Sequence, residues 1–285
     1  MKSPFNVTFI GPGVMAEAMF SGLIRKEVAS AAQIKASGPE IDRGEELKAR
    51  YGITVLSDNR LAVQDADVVV LSVKPQLINH VLKGLKGAIP PQAMVLSIVA
   101  GASIQTIQTG LAHANVVRAM PNTPAQIGAG ITVWTCAETV TPEQNELAKK
   151  MLGALGEEIF VDEEAYLDMA TAVSGSGPAY IFLFLEAMID AGVHLGLPRR
   201  IAEQMVVQTM QGSVEYFKKN KAHPATLRNQ GTSPGGTSAA ALYYLEKAGF
   251  RTAISRAIWA AYERSQELGK GNASAHSPEK DSPNG

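Results

Sequence analysis

Short β-branched runs and stretches of helical periodicity take turns from residue 6 to about residue 161, and no other feature constrains the fold as much. A strand followed by a helix cannot close a hairpin, so the next strand returns parallel to it across a crossover. The candidate strands are Val7–Ile10, Ile34–Ser37, Ile53–Leu56, Val68–Val73, Val95–Val99, Val116–Met120, Ile131–Thr135 and Glu158–Val161. Val68-Val69-Val70-Leu71 is apolar on both faces, as a central strand covered by helices should be. Between the strands lie helical stripes. Val14, Met15, Ala18, Met19 and Leu23 share one face, as do Leu77, Ile78, Val81, Leu82 and Leu85. Thr141-Pro142-Glu143-Gln144 carries an N-cap, a proline at the first helical position and a capping-box glutamine, which predicts a helix to about Leu155. The expected class for this half is α/β, a doubly wound parallel sheet.

After about Asp162 the β signal stops. Candidate helices run over Glu163–Val173, Pro178–Leu195, Pro198–Lys219, Thr237–Ala248 and Arg251–Leu268, and Gly196, Gly249 and Gly269 stand where glycines end helices. The helix from Pro178 is apolar nearly all round, at Ile181-Phe182-Leu183-Phe184-Leu185, so other helices or another subunit must enclose it. An all-α half with this centre reads as half of an intertwined dimer. Residues 269–285 are rich in Gly, Ser, Asn and Lys without periodicity and read as a disordered tail. The expected divisions are 1–162, 163–268 and 269–285.

Composition narrows the function. With 46% hydrophobic and 19% charged residues, a chain of 285 residues can bury a full core. Lys plus Arg number 26 against 27 for Asp plus Glu, a net charge of −1, so no basic field exists for nucleic acid or an anionic membrane. The single cysteine, Cys136, excludes an internal disulfide framework, and no Cys/His cluster has metal-ligand spacing. The apolar stretch Val7–Ile10 is cut short by Gly11-Pro12-Gly13 with Glu17 behind, unlike a secretory signal. The apolar run from Ala179 meets Glu186 after seven residues, short of a membrane span. A cytoplasmic protein is expected, with neither nucleic acid nor membrane as partner.

Gly11-Pro12-Gly13-Val14-Met15-Ala16 is G-x-G-x-x-A directly after a strand and opening a helix. The first glycine allows the tight turn, the second lets backbone approach a pyrophosphate, and the small last residue lets helix pack on strand. The helix N-terminus then offers N–H groups and partial positive charge to phosphates. The end of the second strand bears on which dinucleotide. An NAD enzyme usually carries a carboxylate there for the ribose 2′-hydroxyl. Here stand Ala36-Ser37-Gly38, uncharged, with Arg43 shortly after, which favours NADPH over NADH although Glu40 and Asp42 lie close. Lys74-Pro75 and Ala100-Gly101-Ala102 also follow strands, at the ends where open α/β sheets bind ligands.

Two glycine-rich segments punctuate the helical half: Ser174-Gly175-Ser176-Gly177-Pro178-Ala179-Tyr180 and Thr232-Ser233-Pro234-Gly235-Gly236-Thr237-Ser238. Each precedes a helix, so its N–H groups are expected to converge on a helix N-terminus, which suits a carboxylate; the alternative is a tight helix–helix turn. Residues 163–195 contain no lysine, and no histidine is paired with an acid in an evident motif. An alcohol dehydrogenase needs a base for the hydroxyl proton. An imine can arrive protonated and needs only hydride and positioning.

These segments, with Val73-Lys74-Pro75 and Arg118-Ala119-Met120-Pro121-Asn122-Thr123-Pro124, resemble the pyrroline-5-carboxylate reductase family over nearly the whole chain, to about residue 268. The resemblance implies an N-terminal Rossmann domain, a C-terminal helical domain that dimerises, and often a ring of dimers. It implies NADPH-dependent reduction of 1-pyrroline-5-carboxylate to L-proline. Carried over by position, the cofactor residues are Ile10, Gly11, Pro12, Gly13, Val14 and Met15, then Ser37 and Gly38, Asn59, Val73, Lys74 and Pro75, and Val99, Ala100 and Gly101. Arg43 joins them by the charge argument above. On the substrate side the resemblance points to Glu164, which equally fits a dipole-complementing acid at a helix start. It also points to Gln230, Thr232, Gly235, Gly236, Thr237 and Ser238, with Ser238 and then Thr237 as the candidate catalytic hydroxyls. The chain departs from the family where Ser238 replaces a usual second threonine and where Gln230-Gly231 replaces a polar residue followed by valine. A β-hydroxyacid dehydrogenase shares the two-domain plan but lacks support without a helical lysine. A regulatory protein that senses NADP without turnover is the alternative from another class.

Overall fold

A computed structural model of the chain describes residues 5–274, and for 271–274 the backbone alone. All eight expected strands form, and the helices between them fall where the stripes place them. The order is β1 (Val7–Ile10), α1 (Val14–Arg25), β2 (Ile34–Ser37), α2 (Ile41–Tyr51), β3 (Thr54–Leu56), α3 (Asn59–Ala62), β4 (Val68–Leu71), α4 (Ile78–Leu85), β5 (Met94–Ser97), α5 (Ile104–Leu111), β6 (Val116–Met120), β7 (Gly130–Cys136), α6 (Pro142–Gly153) and β8 (Gly156–Phe160). The strands make one sheet in the order β3-β2-β1-β4-β5-β6-β7-β8, parallel throughout except for the antiparallel step from β6 to β7. β4 is shorter than expected: it ends at Leu71, and Ser72 and Val73 already belong to the loop above the sheet.

Alternation along each strand divides the core between the two sheet faces. Val68 and Val70 pack into the layer with Met19 and Leu23 of α1 and Met151 and Leu152 of α6. Val69 and Leu71 pack into the layer with Ile78 and Leu82 of α4 and Ile107 and Leu111 of α5. Each such side chain contributes about 1.5–3 kcal/mol. Two stripe members are exposed instead, Val14 and Leu77, because each stands just at or before its helix's first turn, above the sheet edge. The capping box forms as expected: Gln144 N–H donates to Thr141 Oγ1 at 3.3 Å and Thr141 N–H to Gln144 Oε1 at 3.1 Å.

The rest of the described chain is helical: α7 (Tyr166–Ala170), α8 (Gly177–His194), α9 (Arg199–Asn220), α10 (Pro224–Gln230), α11 (Thr237–Lys247) and α12 (Phe250–Ser274). Three expectations change here. The Glu163–Val173 helix starts only at Tyr166 and continues through a π-helical turn, Thr171–Gly175, into α8. Gly269 ends nothing, since α12 runs through it to Ser274, and the remainder of the expected tail lies outside the described residues. Gly196 and Gly249 do follow helices in left-handed conformation. α10 is a helix that periodicity does not announce.

Packing divides the chain into two units: the chain up to Ser176 together with the chain from Ala261 on, and Gly177–Ala260. Within the second unit the only buried apolar side chains among the described residues are Ala202 and Val206. Phe182 and Leu183 on α8 are 62% and 67% exposed. The continuous helix Tyr166–His194 is long and apolar enough, by length and composition alone, to cross a membrane; Glu186 interrupts its apolar run without lowering its average enough to exclude this.

Candidate active site

The order of the sheet places a switch point at β1, whose neighbours β2 and β4 lead off in opposite directions. In open α/β sheets the crevice at the carboxyl ends of such strands takes the ligand. Gly11 leaves β1 at φ +95°, with its N–H on Ser37 O at 2.9 Å and Ser72 Oγ donating to its carbonyl at 2.9 Å. A Cβ here would stand 2.7 Å from Val73 Cγ1, so only glycine lets this turn lie against the loop after β4. Gly13 caps α1 with backbone alone, whereas Asp58, Ser103 and Thr141 cap their helices with side chains. The first turn of α1 therefore keeps its N–H groups for a ligand, and a Cβ on Gly13 would meet nothing within 4 Å. That open, positively polarised cradle fits a pyrophosphate.

The expected cofactor residues of the first unit lie on the turn itself and where the chain leaves β2, β3, β4 and β5. Ile10 and Pro12 are buried, Val14 is exposed and Met15 half-buried beside the turn. A Cβ on Gly38 would meet Pro12 Cδ at 2.5 Å. Ser37 is buried and donates its hydroxyl to Asn59 Oδ1 at 2.7 Å. Val73 packs on Gly11, Lys74 is exposed at the start of a short 3-10 turn, and Pro75 follows it. Val99 is buried, and Gly101, at φ +73°, lies against the backbone of α12 at Leu268 and Gly269.

Arg43 is not a free cation. Its Nε donates to Pro12 O at 3.3 Å, its Nη1 pairs with Glu46 at 2.7 Å and its Nη2 pairs with Glu17. The carboxylates that matter are thus Glu17 and Glu46, not the adjacent Glu40 and Asp42. Burial works to raise the Glu17 carboxyl, but hydrogen bonds from Tyr51, Arg43 and Arg50 outweigh it and hold it below its ordinary value. Arg43 is therefore held flat on the glycine turn, and a 2′-phosphate there would share it with Glu17.

The two glycine segments of the helical half behave differently. Ser174–Gly177 makes no loop before α8: Ser176 N–H bonds Thr171 O at 2.8 Å and Ser174 Oγ bonds Ala170 O at 2.9 Å, so a π-helical turn leads into α8 at Gly177. The Ser176 N–H and the Ser174 hydroxyl are spent on the preceding turn, as in the tight-turn alternative for this segment. The Ser174 carbonyl accepts from Asn122 Nδ2 at 3.2 Å, while Asn122 Oδ1 takes the Ile131 N–H at 3.0 Å. The second segment does open a helix. Gly236 caps α11 without a side chain, and Gly235, Thr237 and Ser238 are exposed at its start. Thr232 spends its hydroxyl on Arg228 O at 2.8 Å, and Gln230 Oε1 accepts from Tyr216 at 3.5 Å. Glu164 belongs to the first unit, and these residues belong to the second. Its Oε1 accepts from the Ile104 N–H and from Arg118 Nη1, both at 2.8 Å. It complements a helix start, but that of α5 and not its own.

Residues 164–268 match the family model of pyrroline-5-carboxylate reductase dimerisation, and residues 6–101 match that of the coenzyme F420-dependent NADP oxidoreductases. The chain is 44% identical to the pyrroline-5-carboxylate reductase of Synechocystis over 261 residues, 92% of this chain and 97% of that protein. The chain belongs to the pyrroline-5-carboxylate reductase family. Another member, from Pseudomonas aeruginosa, is 41% identical over 94% of this chain and 98% of its own. The crystal structure of the Plasmodium falciparum pyrroline carboxylate reductase with NADP bound superposes with a TM-score of 0.86 at 31% identity, covering 93% of this chain and 98% of that one. Within the family's fold, a side chain that motif reading left without a role is Arg118, buried in the middle of β6 and joined to two acids.

Proposed function

We propose that this chain reduces 1-pyrroline-5-carboxylate to L-proline with NADPH, the last step of proline biosynthesis, and prefers NADPH to NADH. The observation that carries the reading is that two glycine-preceded helices in a chain of this family have no side-chain cap at their N-termini. One, at α1, suits a pyrophosphate; the other, at α11, suits a carboxylate. NADPH, when bound, supplies hydride to the C=N carbon. Ile10–Met15, Ser37, Gly38, Arg43, Asn59, Val73–Pro75 and Val99–Gly101 would hold it. The N–H groups of Gly235, Gly236 and Thr237 would hold the substrate carboxylate, with Gln230 and Thr232 shaping the loop. Ser238, with Thr237 beside it, would hydrogen-bond the ring nitrogen. Glu164 is the remaining member implied by the resemblance.

The domain division at 162/163, with 163–268 as dimerisation and substrate domain, belongs to the same reading, as do a cytoplasmic location and a ring of dimers. The exposed apolar faces of the second unit are what a second copy would cover, at about 1.5–3 kcal/mol for each side chain fully buried. The deciding assay is NADPH oxidation on addition of pyrroline-5-carboxylate. Oxidation with formation of proline is expected; a protein that binds the nucleotide and leaves it unoxidised is a sensor, and the reading fails.

Cofactor preference gives a second test. Ser37→Asp places a carboxylate beside Asn59 at the end of β2, where it repels a 2′-phosphate and accepts from a free 2′-hydroxyl. The order of kcat/KM for NADPH and NADH is expected to reverse. Equal values for both cofactors in the native enzyme would refute the assignment of this strand end.

A further inference from the structure

We infer that Glu17 is a specificity-determining residue: it neutralises the Arg43 guanidinium and so limits the preference for NADPH over NADH. The inference deepens the proposed reading and rests on it in one respect, that the 2′-phosphate of NADPH lies at Arg43. Arg43 belongs to α2, the first helix after β2, and its Nε donates to Pro12 O at 3.3 Å in the glycine turn. Gly38, directly after β2, packs on the same proline, where a Cβ would stand 2.5 Å from Pro12 Cδ. Pro12 thus touches both the strand end and the guanidinium.

Two carboxylates engage that guanidinium: Glu46 pairs with Nη1 at 2.7 Å, and Glu17 pairs with Nη2. Arg50 joins the same two acids, at 2.8 Å to Glu17 Oε1 and 3.3 Å to Glu46 Oε1. Two cations face two anions, so a phosphate arriving at Arg43 meets a cluster without net charge. Among the described residues Nη1 and Nη2 each keep one N–H for it, and hydrogen bonds remain where Coulomb attraction is largely cancelled. Of the two acids Glu17 acts more strongly. Its side chain is 17% exposed against 46% for Glu46, so water screens its charge less. An acid in the first turn of α1 complements the helix dipole without any partner. Both Glu17 oxygens instead engage α2, with Tyr51 donating to Oε1 at 2.7 Å. Loss of a mere staple between α1 and α2 weakens binding of both nucleotides. Release of Arg43 strengthens binding of one.

The experiment measures the Kd of NADPH and of NADH for the native chain, Glu17→Gln, Arg43→Ala and the variant carrying both. The readout is the ratio of the two Kd values, because any action of the lost charge on the pyrophosphate is common to both nucleotides and cancels. Glu17→Gln is expected to raise the preference for NADPH about 5-fold, the effect of releasing one partly exposed ion pair. On the Arg43→Ala background the same substitution is expected to leave the ratio unchanged. An unchanged or lowered preference in Glu17→Gln overturns the inference, and so does a gain that persists without Arg43. Should circular dichroism show that Glu17→Gln does not fold, Glu46→Gln frees the same guanidinium from its other side. That variant is expected to raise the preference about 2-fold, and an unchanged ratio there overturns the inference alone. A native chain that binds NADH more tightly refutes the cofactor preference proposed above, while the change of ratio in Glu17→Gln still decides the role of Glu17.

Discussion

Gly11→Ala is expected to abolish NADPH binding and turnover with it. The turn after β1 is fixed from three sides: Gly11 N–H on Ser37 O, Gly13 N–H on Gly11 O and Ser72 Oγ on Gly11 O, each at 2.9 Å. Alanine at φ +95° is strained by about 1–3 kcal/mol. Its Cβ also drives into Val73 Cγ1 and toward Ser72 O, an overpacking worth about 1–3 kcal/mol more. Relief requires either the glycine turn or the loop at Val73 to move, and both border the cradle at α1. A displacement of about 1 Å costs on the order of 10²-fold in a positioned reaction. Nucleotide titration and thermal unfolding of the variant check both halves of the expectation. Native NADPH affinity in Gly11→Ala would remove the phosphates from this turn.

The sheet was legible because its signals are local. Each strand is a short run of three to seven residues, and Thr141-Pro142-Glu143-Gln144 carries its own cap. β8 shifts, starting at Gly156 where propensity points to Glu158, because pairing with β7 and not side-chain preference sets its first residue. α10 escaped notice for the opposite reason. Pro224-Ala225-Thr226-Leu227-Arg228-Asn229-Gln230 has no apolar stripe, and its cap is His223 Nδ1 accepting from Ala225 N–H at 3.2 Å, outside the usual Ser, Thr, Asp and Asn. Ser174–Gly177 reads as a break because glycine and serine favour turns. Their hydrogen bonds to Ala170 and Thr171 keep the helix going, and only the structure shows which backbone group accepts.

The candidate site was legible where one short segment forms a helix start, as at Gly11–Ala16 and Gly235–Ser238. It was not legible where charges far apart in sequence meet. Arg43 with Glu17, and Arg118 with Glu164 and Asp168, join elements that the chain separates by 26, 46 and 50 residues. Nothing in the motif around Arg118 marks it as buried; the register of β6 beside β5 decides that.

Ser238→Ala is expected to lower kcat by about 10²-fold or less, with NADPH binding intact. The proposed substrate is a five-membered cyclic imine bearing a carboxylate, and its carbon accepts hydride only as the nitrogen gains a proton or positive character. Ser238 is the second residue of α11, exposed, on a helix start that no side chain caps. The N–H groups before it can take the carboxylate while its hydroxyl reaches the ring nitrogen, which orients the C=N bond. A serine hydroxyl is a weak acid, so its contribution is a hydrogen bond and the proton comes from water or with the substrate. That is why the loss stays at the low end of what proton-transfer groups supply, and why positioning by the glycine segment carries more of the rate. Steady-state kinetics over a range of pH, with a parallel NADPH titration, separate the two. Native kcat and imine KM at every pH in Ser238→Ala would leave the hydroxyl without a role and transfer the assignment to Thr237, whose alanine variant then becomes the decisive measurement.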